Sequence, residues 1–68
     1  MATVNLEKAN EIATLTLSNP GKLNAINLDM WLQLATHVLD LSADQNIRCL
    51  VIRGAGSEAF AAGGDLEE

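Results

Sequence analysis

The chain has 68 residues, of which 49% are hydrophobic and 19% charged, and its formal net charge at pH 7 is −5. This composition is typical of one small globular domain and not of a disordered segment. The chain has only four basic residues, whereas nucleic-acid binding requires clustered Lys and Arg. We therefore expect no nucleic-acid partner.

The N-terminus and the single cysteine indicate the cellular compartment. The first residues lack the charged and apolar regions of a signal peptide, and no apolar run approaches the ~20 residues of a membrane span. Cys49 lies inside the most apolar run, where a free thiol behaves as a small hydrophobe, so we expect it to be buried. These features favour a reducing cytoplasm, with no membrane partner and no disulfide.

Two segments near the N-terminus have the alternation of β-strands. Val4 and Leu6 share one face of residues 1–9, and apolar residues alternate with Thr and Ser over residues 13–18. The pair Asn10-Glu11 separates the two segments. The pattern predicts an antiparallel hairpin with one buried face, ended by the turn residues Pro20 and Gly21.

Residues 27–42 have the spacing of an amphipathic helix. Asn27 is a suitable N-cap, and Asp29 in the first turn complements the helix dipole. The apolar stripe consists of Leu28, Trp31, Leu32, Ala35, Val38, Leu39 and Ser42, widened by Met30, Leu34 and Leu41. This breadth predicts burial on more than one side. His37 falls among the polar positions, where a solvated residue is favoured over a catalytic base.

The run over residues 47–52 is apolar and rich in β-branched residues, which predicts a strand covered on both faces. A strand, a helix and a buried strand in this order indicate a βαβ unit with a parallel sheet. The fold class is therefore α/β. The loop after this strand lies where open α/β sheets usually place ligands.

That loop offers one candidate nucleotide motif. Gly54, Gly56 and Ala59 match the spacing of the dinucleotide fingerprint G-x-G-x-x-G/A. The fingerprint requires a helix to begin within the loop, which would put Gly63 and Gly64 inside that helix at roughly 1 kcal/mol each. A glycine turn after the strand is the favoured alternative.

The adjacent glycines Gly63 and Gly64 are flanked by small residues in the segment A-F-A-A-G-G-D, so their backbone N–H groups are open to a ligand. An amide of this kind can donate to an oxygen that carries negative charge, as in an oxyanion hole. The alternative is a sharp turn, without a ligand, into a helix that Asp65 and Glu68 begin as a capping box. Spacing alone favours neither.

Lys22 is a second candidate binding residue. It follows the Pro20-Gly21 turn in a loop that is too long for a tight turn, and there it could meet a phosphate as a point charge. A solvated loop lysine is the simpler alternative.

Three segments in chain order resemble the crotonase superfamily of enoyl-CoA hydratases and isomerases. They are N-P-G-K-L-N-A at residues 19–25, C-L-V-I-R-G at residues 49–54 and A-F-A-A-G-G-D-L at residues 59–66. The phrase A-F-x-A-G-x-D is the more specific, and P-x-K-x-N-A supports it. The resemblance covers residues 1–68 but only about the N-terminal quarter of a typical member, so we interpret the chain as a truncated N-terminal part of such a domain.

The resemblance implies a spiral fold of ββα repeats, assembled as homotrimers or homohexamers, that binds an acyl-CoA thioester and stabilises its enolate. It assigns one oxyanion-hole donor to the backbone N–H of Gly64. It implies no metal and no cofactor, because coenzyme A is part of the substrate. The implied substrate-binding residues are Ala62, Gly63, Gly64 and Asp65 in one turn, with Lys22, Leu23 and Ala25 along the CoA moiety.

The family's second amide and its acid/base glutamates lie beyond residue 68, and a proton cannot be moved without a positioned acid or base. We therefore expect a lyase-type parent that hydrates 2-enoyl-CoA in fatty-acid or related acyl-CoA metabolism, while the 68 residues alone are inactive. The alternative is a non-catalytic acyl-CoA-binding remnant or an assembly fragment. A reading frame that continues into a glycine-rich loop and a glutamate would favour the enzyme.

Overall fold

The computed structural model of the chain describes residues 2–57, 59–61 and 63. The elements in this part of the chain are β1 (Thr3–Ala9), β2 (Ile12–Ser18), α1 (Leu28–Ser42) and β3 (Cys49–Gly54). The sheet has the order β1-β2-β3, with β1 antiparallel and β3 parallel to β2. The result is a small α/β unit with a mixed sheet, which confirms the predicted class.

The hairpin forms as the alternation predicts. Ala13, Leu15 and Leu17 are at most 1% exposed, while the residues between them are half-buried. Val4 of β1 pairs with Leu17 and is also buried. Asn10 takes the left-handed conformation at the turn (φ 58°), which Asn tolerates better than most residues. The two strands thus supply the sheet side of the core.

The helix begins where its cap predicts but buries a narrower surface than expected. The Asn27 side-chain oxygen accepts a hydrogen bond from the Met30 N–H at 2.8 Å, as an N-cap does. Met30 and Leu41 are buried and Leu34 is partly buried against the sheet. The expected burial on more than one side is not found, since these large apolar residues of the outer stripe are exposed: Leu28, Trp31, Leu32, Val38 and Leu39.

Two polar side chains of α1 face the sheet, contrary to the prediction of a solvated His37. The Gln33 oxygen accepts from the Val4 N–H at 2.8 Å, and His37 Nε2 lies 3.2 Å from the Val4 carbonyl oxygen, to which it can donate. Both side chains are half-buried. Val4 lies on an edge strand whose outward backbone groups need partners. Gln33 and His37 therefore supply hydrogen-bond partners for the backbone N–H and C=O of Val4.

The third strand is parallel to β2, as predicted, but it begins at Cys49 instead of residue 47. The prediction that it is covered on both faces is wrong, because residues 49–53 are all exposed. Cys49 is accordingly exposed and not buried. The physical reason is that β3 is an edge strand and α1 packs on β1 and β2. Within the described ranges, no helix has the length and apolar character needed to cross a membrane.

Candidate functional site

The loop between β2 and α1 consists of two consecutive β-turns. The Lys22 N–H donates to the Asn19 carbonyl at 3.1 Å, with Gly21 at φ 79° behind Pro20, as in a type II turn. The Ala25 N–H then donates to the Lys22 carbonyl at 3.0 Å. Leu23 and Asn24 between them both have positive φ (51° and 60°), as in a type I′ turn. Leucine seldom takes this conformation, so surrounding contacts must hold it.

Two buried asparagines hold this loop in place. Asn24 Oδ1 accepts from the Asn19 N–H at 3.1 Å, and Asn19 Nδ2 donates to the Ala25 carbonyl at 2.7 Å. Asn24 Nδ2 donates to the carbonyls of Ala55 and Ala59, each at 3.0 Å. The second asparagine therefore joins the loop before α1 to the segment that follows β3.

The segment after β3 folds closely over the end of that strand. A Cβ added to Gly54 would overlap the backbone of Ala59 and Phe60, so only glycine fits there. Further along, Gly63 has φ 96°, and a Cβ added there would meet no other atom. Glycine is therefore favoured at this position by its positive φ and not by lack of space for a side chain. The Ile26 N–H donates to the Gly63 carbonyl at 2.7 Å. This bond brings the segment that ends at Gly63 (the glycine segment) against the end of the loop over residues 19–25 (the asparagine loop).

A cleft of about 440 Å³ separates the two loops. It is lined by Ser18, Asn19, Pro20, Gly21, Leu23, Asn24, Ala55, Gly56, Ser57 and Ala59. None of these lining residues is charged, and many are small. The cleft therefore offers backbone polar groups and short side chains to a ligand instead of ionisable groups.

The structure brings together the predicted site residues that it describes. Lys22 is half-buried, Leu23 is exposed beside the cleft, and Ala25 is buried with its N–H and C=O bonded within the loop. Gly63 is adjacent through Ile26. The other predicted members of the site, namely Ala62, Gly64 and Asp65, lie outside the described residues, as does the predicted Asp65–Glu68 capping box.

The dinucleotide fingerprint is not supported in the described part of the loop. Residues 55–57 and 59–61 are bends and irregular backbone, with no helix beginning among them. The fingerprint needs a helix N-terminus at that point to bind the pyrophosphate. The favoured alternative, a glycine turn after the strand, matches Gly56 at φ 73°.

Asn19 and Asn24, which hold the site, were not among the predicted site residues. Two asparagines in one loop are a feature that could have identified them, because Asn tolerates the left-handed conformation and its side chain bonds to nearby backbone. What no local pattern reveals is that the amide of Asn24 reaches carbonyls 31 and 35 residues further along the chain.

Comparison of the sequence with known proteins identifies its family. The sequence model of the family "Enoyl-CoA hydratase/isomerase" matches residues 12–68. The chain is 44% identical over 57 residues to the 1,2-epoxyphenylacetyl-CoA isomerase of Escherichia coli, covering 84% of this chain and 21% of that protein. It is 32% identical over 65 residues to the short-chain-enoyl-CoA hydratase of Clostridium acetobutylicum, covering 96% and 25%.

A solved structure agrees with these relatives. The enoyl-CoA hydratase/carnithine racemase of Magnetospirillum magneticum superposes with a TM-score of 0.93 and 46% identity over all of this chain and 26% of that one. The chain therefore belongs to the enoyl-CoA hydratase/isomerase family, the crotonase superfamily, as the motifs predicted. It spans about a quarter of the length of these relatives.

Proposed function

We propose that this chain binds an acyl-CoA thioester and contributes one oxyanion-hole donor, the backbone N–H of Gly64, to an enoyl-CoA hydratase/isomerase. The observation that carries the proposal is the hydrogen bond from the Ile26 N–H to the Gly63 carbonyl. It joins the two motifs of the family, the asparagine loop and the glycine segment. Family membership supplies the substrate class.

Covalent geometry supports the choice of donor. In a trans peptide the carbonyl of one residue and the N–H of the next point to opposite sides. Since the Gly63 carbonyl accepts from Ile26, we assign the donor to the N–H on the other side of the same peptide bond, that of Gly64. A fixed donor at that position favours the enolate over the bound thioester, because the oxygen gains charge as the enolate forms.

In the same proposal Lys22, Leu23 and Ala25 contact the CoA moiety. Leu23 carries an exposed apolar side chain beside the cleft, and Lys22 supplies a positive charge on the same turn. A flexible ammonium group suits a phosphate as a point charge. No cofactor is needed beyond the coenzyme A of the substrate.

The proposed parent reaction is the addition of water to a 2-enoyl-CoA, in a cytoplasmic homotrimer or homohexamer built from ββα repeats. One relative is named as a hydratase and another as an isomerase, so the family name alone does not decide the reaction. Because the family's acid/base glutamates fall beyond residue 68, we expect the chain alone to leave crotonyl-CoA unhydrated. Clear turnover above buffer would contradict this expectation.

A matched pair of variants tests the donor. Gly64→Pro removes the N–H, whereas Gly64→Ala keeps it and adds one methyl group. The readout is the ¹³C resonance of crotonyl-CoA labelled at its thioester carbonyl, because a hydrogen bond to that oxygen polarises the carbonyl. We expect the resonance to shift on addition of the wild-type chain and of Gly64→Ala, and to stay at its free position with Gly64→Pro.

Equal shifts with both variants would refute the assignment to Gly64. No shift with the wild-type chain would refute thioester binding by these 68 residues. Unlabelled free coenzyme A as competitor separates binding of the CoA moiety from recognition of the carbonyl.

The uncovered apolar residues of α1 and β3 favour a second candidate, an assembly fragment that folds with partner chains. Sedimentation of the chain over a range of concentrations distinguishes the two. Association without any thioester-dependent shift would support the assembly fragment, and a monomer that shifts the carbonyl resonance would support the first proposal.

A further inference from the structure

The side chain of Asn24 is buried and bonds to the backbone of three other residues. Its residue is 7% exposed, and its amide makes three hydrogen bonds, to the Asn19 N–H and to the carbonyls of Ala55 and Ala59. An amide NH₂ has two donors, and the two carbonyls use both. The proposed reaction gives this residue no chemical role, although its burial and bonding single it out.

The backbone at Asn24 also suits this task. Its φ of 60° follows the positive φ of Leu23, and Asn is the non-glycine residue that best tolerates this region. Glycine would tolerate the backbone but could not reach Ala55 or Ala59. Position 24 therefore combines a left-handed backbone with a side chain that spans two loops.

The contacts of Asn24 continue to the glycine segment. The backbone N–H of Asn19 donates to the side-chain oxygen of Asn24, and the side-chain NH₂ of Asn19 donates to the Ala25 carbonyl. The next N–H along the chain, that of Ile26, donates to the Gly63 carbonyl. On the other side, Ala59 lies four residues before Gly63. The segment that leads to Gly63 is thus held at Ala59 by Asn24 itself. At Gly63 it is held by Ile26, which follows the loop that Asn19 and Asn24 stabilise.

We propose that Asn24 is a positioning residue: its amide holds the asparagine loop against the segment after β3 and so sets the position of the Gly63 carbonyl and of the peptide that follows it. The inference deepens the proposed function and rests on it for the role of Gly64. A displacement of about 1 Å can cost roughly 100-fold in rate when a reacting group must be aligned. Asn24 lines the cleft, but both N–H donors of its amide bond to backbone carbonyls, so we assign it an effect through this peptide.

The test uses Asn24→Asp in the full 68-residue chain. The carboxylate keeps an acceptor for the Asn19 N–H but has no donor for Ala55 and Ala59, so the loop keeps its own turn and loses its contact with the other loop. Asn5→Asp is the matched control. It adds the same charge at an exposed strand position and keeps an acceptor for the Thr3 hydroxyl.

The readout is amide hydrogen exchange, residue by residue. In Asn24→Asp we expect the protection of the Ile26 N–H to fall at least tenfold, while that of β2 amides such as Leu15 changes less than twofold. Asn5→Asp should leave both unchanged. An equal loss of protection at Ile26 and at the β2 amides would mean that Asn24 stabilises the whole fold, which would overturn the proposal. Unchanged protection at Ile26 would also overturn it.

Should Asn24→Asp not fold, the wild-type chain provides the test. The side-chain NH₂ of Asn24 and the N–H of Ile26 should then exchange through one opening event, with protection factors within about threefold of each other. A side-chain amide that exchanges as fast as in a free peptide would overturn the proposal.

The labelled thioester separates this inference from the proposed function. Where the wild-type chain shifts the carbonyl resonance, folded Asn24→Asp should not, although its β2 protection is intact. Loss of Ile26 protection with no shift from the wild-type chain would leave Asn24 a positioning residue and refute thioester binding by these 68 residues. A full shift with Asn24→Asp would refute the positioning role.

Discussion

The two sides of the described structure use similar apolar residues with opposite results. On the inner side, Leu15, Leu17 and Met30 are essentially inaccessible to solvent. On the outer side, Leu39 is 70% exposed, and every residue of β3 from Cys49 to Arg53 is exposed. Apolar periodicity therefore indicates which residues form a strand or a helix, whereas burial depends on whether another element lies opposite.

The asparagine loop and the segment after β3 link these two sides. They join the buried end of β2 to the exposed strand through side-chain amides and through the close approach at Gly54. The candidate site therefore lies where the covered and uncovered regions meet.

The largest expected effect is a loss of stability when a buried side chain of α1 is truncated. Met30→Ala empties a fully buried position and should lower the free energy of unfolding by about 2–5 kcal/mol. Leu39→Ala, on the outer side of the same helix, should change it by less than about 0.5 kcal/mol. Urea unfolding followed by the helical circular dichroism signal measures both. Equal losses would mean that the outer side of α1 is covered in solution.

The next effect concerns the contact between β3 and the segment that follows it. Gly54→Ala places a methyl group against the backbone of Ala59 and Phe60 and should cost roughly 1–3 kcal/mol, as overpacking does. Gly56→Ala is the control, because it meets open space and is penalised only by its positive φ. The two variants are compared by urea unfolding and by the resonance of the Ile26 N–H. We expect only Gly54→Ala to displace that resonance, and an undisturbed spectrum would contradict the close approach.

A smaller effect is expected at the N-cap of α1. Asn27→Ala removes the acceptor of the Met30 N–H and should cost about 1 kcal/mol, whereas Asn27→Asp keeps the cap and adds a charge that suits the helix N-terminus. Thermal unfolding of the two variants measures the difference. A stable Asn27→Ala would indicate that sheet packing alone holds the first turn.

The smallest effect is a dependence on pH in the loop before β3. The Asn46 N–H and, secondarily, Lys8 lower the pKa of Asp44 below its ordinary 3.8. The stabilisation is therefore complete above that ordinary value and is lost as the pH falls below it towards the folded pKa. Asp44→Asn is the comparison. The difference in unfolding free energy between the two chains should be constant near neutral pH and shrink below about pH 4, and a difference that grows there would reverse the sign.

Much of the local structure could be predicted from the chain alone. The alternation around Leu15 predicted the hairpin, Asn27 predicted the start of α1, and the Pro20-Gly21 pair predicted a turn, all of which the structure confirms. These features depend on contacts between residues near in sequence. The exposure of Cys49 and the inward position of His37 could not be predicted this way, because both depend on which elements pack together.

The sequence by itself determined the elements, their caps and turns, and the motifs that identify the family. The tertiary structure decided which side of α1 faces the sheet, and it brought the Asn24 amide to two carbonyls more than thirty residues away. The physical reason is that backbone preferences and side-chain periodicity act over a few residues, whereas burial and long-range hydrogen bonds exist only once two surfaces meet.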